Sequence, residues 1–245
     1  MHYFFSRASH PVVRRLAEGR TLCAFDFDGT LSPIVEHPDD AGMRPVTRTL
    51  LACLGSLYPC VIVSGRARHD LLDKLGGVAV TRAIGNHGAE TDGVPPATRR
   101  EVERWKCSLD LELESLPGMW VEDKGLSLAV HYRQATRKTE ARRRILEAAR
   151  NLKNVRVLGG KQVVNLTVNR SPHKGQAVAA ERDRLKCDWV LYVGDDENDE
   201  DAFRLEGNVV PVRIGRKRQS HAQYYLRTQT EIDRLLEMMI EGRRA

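Results

Sequence analysis

Two aspartates one residue apart, Asp26 and Asp28, close the apolar run of CAFDFDGTLSPI, and the chain turns at once through Gly29. Carboxylates so close repel each other and lose solvation if partly buried. A metal ion, a chemical task or exposure in a turn must offset that cost. Three further short segments carry chemistry-bearing residues: Ser64 in VSGR, Lys174 in HKGQAV, and Asp195, Asp196 and Asp199 in GDDENDEDAF. Hydrolysis of a phosphate monoester uses these types together. Its substrate is a dianion and its transition state spreads charge over the equatorial oxygens, so positioning and electrostatics dominate catalysis. A carboxylate nucleophile such as Asp26 is repelled by that dianion unless a cation lies between them. Mg²⁺, a hard ion that prefers oxygen ligands, would bridge Asp26, Asp195 and the phosphate. Lys174 would add positive charge, while Thr30, Ser64 and main-chain N–H groups near Gly29 would donate hydrogen bonds. Asp28 would protonate the leaving oxygen and then activate water.

Those residues need elements to hold them. The runs TLCAF, CVIV, WVLYV and VVPVRI are four to six residues long and end in turn residues. Such short apolar runs suit strands covered on both faces. Helix candidates lie between them in RPVTRTLLACLGSL, ARHDLLDKLGG and KGQAVAAERDRL. Strand and helix in alternation predict an α/β, doubly wound parallel sheet. Ligands of such sheets sit at the carboxyl ends of the strands, where Asp26, Asp28, Ser64, Asp195 and Asp196 all fall.

The middle of the chain follows another pattern. A helix is predicted over 98–116, then two antiparallel strands in MWVEDKG and LSLAVHYR around Gly125. A basic helix follows with Ile145, Ala149 and Leu152 on one stripe. NVRVLGGKQVVNLTV then reads as a hairpin turning about Gly159 and Gly160. This α+β unit, residues 96–171, reads as a cap inserted into a core of residues 1–95 and 172–245.

Composition bounds the partners. With 245 residues, 41% hydrophobic and 29% charged, the chain can bury a sizeable core. Its five cysteines are scattered with no C-x-x-C pair, which points to a reducing compartment rather than a zinc site or disulfide framework. No run approaches the ~18 apolar residues of a membrane span, and the first residues lack a signal-peptide core. A soluble, cytoplasmic chain without a membrane partner is the expectation, as a monomer or weak dimer. The net charge of +6 is concentrated: Arg133 to Arg156 holds nine Lys or Arg against Glu140 and Glu147, a net of +7. Without interleaved aromatics this stretch reads as the solvated face of a helix rather than a nucleic-acid site. Steering of an anionic substrate is compatible with it.

The segments DFDGT, VSGR, HKGQAV and GDDENDEDAF resemble, in order, the four motifs of the haloacid dehalogenase superfamily of phosphatases. More closely, DFDGTLSPI, VSGR, GNHGAE, VEDKGLSLAVHYR and GDDENDEDAF are similar to the trehalose-6-phosphate phosphatase family, from Leu22 to Phe203. The resemblance implies an aspartyl-phosphate mechanism, one Mg²⁺ and a mobile cap closing over a small-molecule sugar phosphate. It makes Asp26 the nucleophile and Asp28 the acid and base, with Mg²⁺ on Asp26, the Asp28 main-chain carbonyl and Asp195. Gly65, Arg66, His87, Glu122 and Lys124 fall where that family contacts substrate, and Asp196 and Asp199 stand behind the ligands. Two departures stand out. Asn165 in VVNLTV takes the place of the family's sugar-binding Glu, and Asn198 replaces the usual Thr.

Plainer readings compete residue by residue. His87 between glycines suits a solvent-facing turn, and His131 a place on the cap sheet. Glu122 and Lys124 suit an exposed ion-pair rung, and Trp105, Trp120 and Trp189 a core. A lysine at a helix start opposes the dipole by ~0.3–1 kcal/mol, so Lys174 makes sense beside an anion. The rival functions are a phosphatase for another phosphorylated sugar or glycoside, and a phosphosugar-binding sensor without turnover. An intact Asp26, Asp28, Lys174 and Asp195 argue against the sensor.

Overall fold

The computed structural model describes residues 1–91, 96–113 and 117–245. In chain order the first elements are β1 (His2–Tyr3), α1 (His10–Glu18), β2 (Thr21–Phe25), α2 (Pro45–Leu57), β3 (Cys60–Val63), α3 (Arg68–Leu75) and β4 (Arg82–Ile84). An insert follows: α4 (Pro96–Leu113), β5 (Trp120–Asp123), β6 (Ser127–His131), α5 (Lys138–Arg150), β7 (Val155–Gly160) and β8 (Val163–Val168). The chain then returns with α6 (Lys174–Leu185), β9 (Trp189–Gly194), α7 (Glu200–Phe203), β10 (Val209–Ile214), β11 (Tyr224–Leu226) and α8 (Glu231–Arg244).

Seven parallel strands form one sheet in the order β1-β11-β10-β9-β2-β3-β4. β2 is buried along its whole length because both faces are covered. Cys23 and Phe25 meet Leu16 of α1, Leu51 of α2 and Leu235 of α8 on one side. Leu22 and Ala24 meet Ala177 and Val178 of α6 and Phe203 of α7 on the other. Strand order reverses direction between β2 and β9, so their carboxyl ends open a crevice between the loops that follow them. Asp26 and Asp195 follow those two strands directly.

The insert is a four-stranded antiparallel sheet in the order β5-β6-β8-β7. One face, with Leu128, Val130, Val164 and Leu166, packs on Trp105 of α4 and Ile145 of α5. Because side chains alternate along strands, the other face carries Trp120, Glu122, Ala129, His131, Val163 and Asn165. The helix expected over 98–116 is α4; its last expected residues, 114–116, lie outside the described residues, as do residues 92–95 before the insert.

One turn differs from expectation. The hairpin between β7 and β8 turns at Lys161 and Gln162, with Gln162 at φ +65°, not about the two glycines. Gly159 and Gly160 are paired in the ladder opposite Val164 and Val163. They are small because of crowding: a Cβ on Gly160 would lie 2.6 Å from Val163 Cγ1, and one on Gly159 would lie 3.0 Å from Glu197 Oε2. Shifting the turn by two residues puts a lysine at its tip.

Candidate active site

Lys174 is fully buried at the first turn of α6, and its ammonium lies 2.9 Å from Asp26 Oδ1 and 2.7 Å from Asp199 Oδ1. Burial works against that charge, but Asp199 and Asp26 outweigh it and hold the pKa above the ordinary lysine value. A lysine at the positive end of a helix is thus matched by two carboxylates. Asp199 is saturated: Oδ1 also accepts from the Tyr192 hydroxyl at 2.7 Å, and Oδ2 from the main-chain N–H of Asp195 and Asp196 at 2.8 and 2.9 Å. Burial raises the Asp199 pKa, but Lys174 and these donors reverse the effect and hold it low. It shapes the loop after β9 rather than offering a free oxygen.

Asp26 and Asp195 are placed differently. Asp26 Oδ1 accepts from the Phe27 N–H at 2.7 Å as well as from Lys174. Burial pushes the Asp26 carboxyl well above its usual range, with Lys174 opposing and Asp199 and Asp195 adding to the rise. Asp195 is pushed up to about 6, first by burial and then by Asp199, with Lys161 opposing. Asp195 Oδ1 and Asn198 Oδ1 are buried with no hydrogen-bond partner among the described residues. One oxygen each from Asp26, Asp195 and Asp199 lie within 4.8 Å of one another. Crowded carboxylates short of positive charge, with unpartnered buried oxygens beside them, fit a hard divalent cation. Gly29 makes the approach possible, since a Cβ there would sit 2.2 Å from Asp195 Oδ2.

Asp28 faces away from this cluster. Its two oxygens accept from Arg66 Nε and Nη2, both at 2.8 Å. Arg66 also donates to Asp70 at 2.6 Å and to the Pro38 carbonyl at 2.9 Å. The guanidinium expected at the substrate is therefore engaged with groups outside the insert, and both Asp28 carboxylate oxygens are held by it. Thr30 and Ser64 are both fully buried. Thr30 Oγ1 has no partner among the described residues, and Ser64 Oγ accepts from the Arg66 N–H at 3.2 Å. Both hydroxyl protons are left to donate.

The insert closes the crevice. Lys124 Nζ donates to the Gly65 carbonyl at 3.1 Å and lies 3.6 Å from Glu122. Glu122 Oε2 accepts from His131 Nε2 at 2.8 Å. Asn86 buckles the two units together, donating to the Lys124 carbonyl at 3.1 Å and accepting from Ser127 Oγ at 2.5 Å. His87 is buried against Gly65 with both ring nitrogens unpartnered among the described residues. Asp26, Asp28, Gly65, Arg66, His87, Glu122, Lys124, Asn165, Lys174, Asp195 and Asp196 all line the resulting cavity. Thr30, Ser64 and Asp199 lie behind its wall.

Several residues here have roles that the motifs did not disclose. Lys161 pairs with Asp195 from the hairpin tip. Arg213 of β10, nearly buried, donates to the main-chain carbonyls of Asp195 and Asp196; a lone arginine inside VVPVRI is the signal that could have found it. Arg133 donates to the Val35 carbonyl at 2.8 Å. Trp120, expected in a core, is 44% exposed and lines the cavity, whereas Trp105 is buried in the insert as expected.

Residues 24–224 match the trehalose-phosphatase family. The trehalose-phosphate phosphatase of Mycobacterium tuberculosis strain H37Rv is 33% identical over 212 residues, covering 78% of this chain and 52% of its own. A probable trehalose-phosphate phosphatase 2 of Oryza sativa subsp. japonica is 29% identical, with 78% and 59% covered. The chain spans a little over half the length of these curated relatives. The C-terminal domain of C. albicans trehalose-6-phosphate phosphatase superposes with a TM-score of 0.80 at 24% identity, covering 94% of this chain and 96% of that one, which is a likeness of fold. No helix among the described residues is long and apolar enough to cross a membrane.

Proposed function

The chain belongs to the trehalose-phosphatase family, and from that premise we propose that it is a Mg²⁺-dependent phosphatase hydrolysing trehalose 6-phosphate through an aspartyl-phosphate. The observation that carries this reading is buried Lys174 held between Asp26 and Asp199, with Asp195 beside them at the crevice of the sheet. A binder of phosphosugars needs no buried nucleophile fixed by a lysine.

Asp26 Oδ1 is committed to Phe27 N–H and Lys174, which orients the carboxylate and leaves Oδ2 to attack phosphorus. As that bond forms, the bond from phosphorus to the sugar oxygen breaks, and the oxygen takes a proton from Asp28. Water then attacks the aspartyl-phosphate, Asp28 takes its proton, and inorganic phosphate leaves with Asp26 regenerated. Arg66 grips both oxygens of Asp28, so delivering a proton requires Asp28 to turn out of that fork toward the leaving oxygen. Mg²⁺, held by Asp26, Asp195 and the Asp28 carbonyl, would neutralise charge between nucleophile and phosphate. Lys174 and Lys161 supply further positive charge, and Thr30 and Ser64 supply hydroxyl donors. Asn165 supports a second reading, in which the preferred substrate is another phosphorylated sugar.

The test is release of inorganic phosphate from a panel of phosphosugars, with Mg²⁺ and in chelator. Turnover of trehalose 6-phosphate that vanishes in chelator and returns with Mg²⁺ is the expected result. Full turnover in chelator overturns the metal's role, and faster turnover of another phosphosugar moves the substrate.

A further inference from the structure

Asp70 lies outside the short motifs and is not among the residues that line the cavity, yet it touches a guanidinium that does line it. Arg66 makes four side-chain hydrogen bonds. Nε and Nη2 hold the two oxygens of Asp28, Nη2 also donates to the Pro38 carbonyl, and Nη1 donates to Asp70 Oδ2 at 2.6 Å. The guanidinium thus stands between two carboxylates, one in the turn after β2 and one in the first turn of α3.

The three groups differ in freedom. The Arg66 side chain is 8% exposed, its Cζ lies 5.7 Å from the centre of the buried Phe27 ring, and its main-chain carbonyl accepts from the Asn86 N–H at 2.7 Å. The Asp28 side chain is 36% exposed and lines the cavity, so it is the partner with room to turn. While both of its oxygens accept from the guanidinium, neither can carry a proton to a leaving oxygen or take one from water. Each turnover therefore requires Asp28 to leave Arg66. A buried charge that loses its only counter-ion is strongly disfavoured. With Asp70 in place, the guanidinium keeps one carboxylate and the Pro38 carbonyl after Asp28 has turned away.

We propose that Asp70 is a positioning residue for the phosphatase reaction: it holds the charge of Arg66 while Asp28 turns toward the leaving oxygen, and so sets how readily Asp28 is released. This rests on the phosphatase reading above, which gives Asp28 its two proton transfers. Asp70 itself exchanges no proton and touches no reacting atom. A carboxylate in the first turn of a helix also suits the helix dipole, but a part played only in folding would lower turnover of every substrate alike.

Asp70→Asn keeps an oxygen for Arg66 Nη1 and removes the charge. Two measurements in the presence of Mg²⁺ test the proposal. The first is kcat/KM for p-nitrophenyl phosphate and for the best phosphosugar of the panel, trehalose 6-phosphate on the reading above. The sugar oxygen must be protonated as it leaves, whereas p-nitrophenolate leaves without a proton. Asp70→Asn should lower kcat/KM for the sugar phosphate about tenfold or more and leave that for the aryl phosphate within about twofold. The second is the same substitution made on Arg66→Met, where no guanidinium holds Asp28. There it should change kcat/KM for the sugar phosphate by less than about twofold. Equal losses on both substrates, no loss on the sugar phosphate, or the same loss with and without Arg66 each overturn the role of Asp70 and leave the phosphatase reading intact. Absence of phosphate release from every phosphosugar in the wild type is the separate result that overturns that reading, and the role of Asp70 with it.

Discussion

Lys161, at the tip of the hairpin between β7 and β8, donates to Asp195 Oδ2 at the end of β9, so a cation carried by the insert rests on a carboxylate of the catalytic sheet. Asp195 is buried and its other oxygen has no partner among the described residues, whereas Lys161 is half exposed. The pair thus ties the insert to the charge balance of the carboxylate cluster.

That link sets up a competition. A divalent cation bound at Asp195 must displace or share the carboxylate with the Lys161 ammonium, and a partly exposed pair is worth about 0.2–1 kcal/mol. Lys161→Met should therefore tighten binding of Mn²⁺ to the substrate-free protein by about two- to fivefold, read by calorimetry. Binding of inorganic phosphate in the same variant should weaken, because a cation near the phosphate is lost. An unchanged Mn²⁺ affinity would mean that the ammonium and the metal use different parts of the cluster.

Asp26→Asn tests the nucleophile. An amide cannot form the acyl-phosphate, so kcat should fall by about 10³-fold or more. The fold should persist, since Lys174 keeps its contact with Asp199 and burial disfavours the charged form of Asp26 in any case. Far-UV circular dichroism and the thermal midpoint check the second part, and phosphate release checks the first. A variant that kept most of its turnover would remove Asp26 from this role.

What the sequence disclosed follows from range. β2 and β9 were legible because their apolar runs stop at carboxylates, and Lys174 because a cation at a helix start asks for an anion nearby. The outward face of the insert was legible in outline from the alternation in VEDKG and VVNLTV. Most of the missed relationships join residues far apart in the chain. Nothing in VSGR says that Arg66 will fork onto Asp28 and Asp70. Gly159 and Gly160 looked like a turn because glycine serves tight turns and close packing alike, and here packing against Val163 and Glu197 decides. Trp120 looked like core because its exposed face is turned into a cavity whose other wall is made by residues near position 34.

Asn165 is the residue most suited to reading the sugar. It lies on the outward face of β8, buried and lining the cavity. A charged acceptor there would strengthen hydrogen bonds from sugar hydroxyls, and such bonds are worth about 1.5–3 kcal/mol. Asparagine instead offers one neutral acceptor and two donors. Asn165→Glu should move the ratio of kcat/KM between trehalose 6-phosphate and the best alternative phosphosugar toward trehalose 6-phosphate by roughly tenfold. A ratio that stays within about twofold would show that Asn165 does not read the sugar.

His87 makes a prediction about pH and stability. Its ring is 4% exposed, and burial, helped by Lys124 and Lys174, pushes its pKa down from 6.5 to about 3. In the unfolded chain the imidazole takes up a proton as pH falls below its ordinary value, while in the folded chain it stays neutral until far lower pH. Between about 6.5 and 3 the unfolded state therefore binds one more proton at this position, so stability rises with pH across that window and is lost as pH falls through it. The slope from this one group is at most about 1.4 kcal/mol per pH unit. Above pH 6.5 both states carry a neutral ring and the contribution is flat. His87→Gln removes the titration while keeping a polar side chain of moderate size. Urea unfolding without added metal should show the variant losing about 1–2 kcal/mol less than the wild type between pH 6.5 and 5. Parallel pH profiles for the two proteins would mean that the folded ring takes up its proton as readily as the unfolded one, and that the cavity wall at Gly65 opens to water.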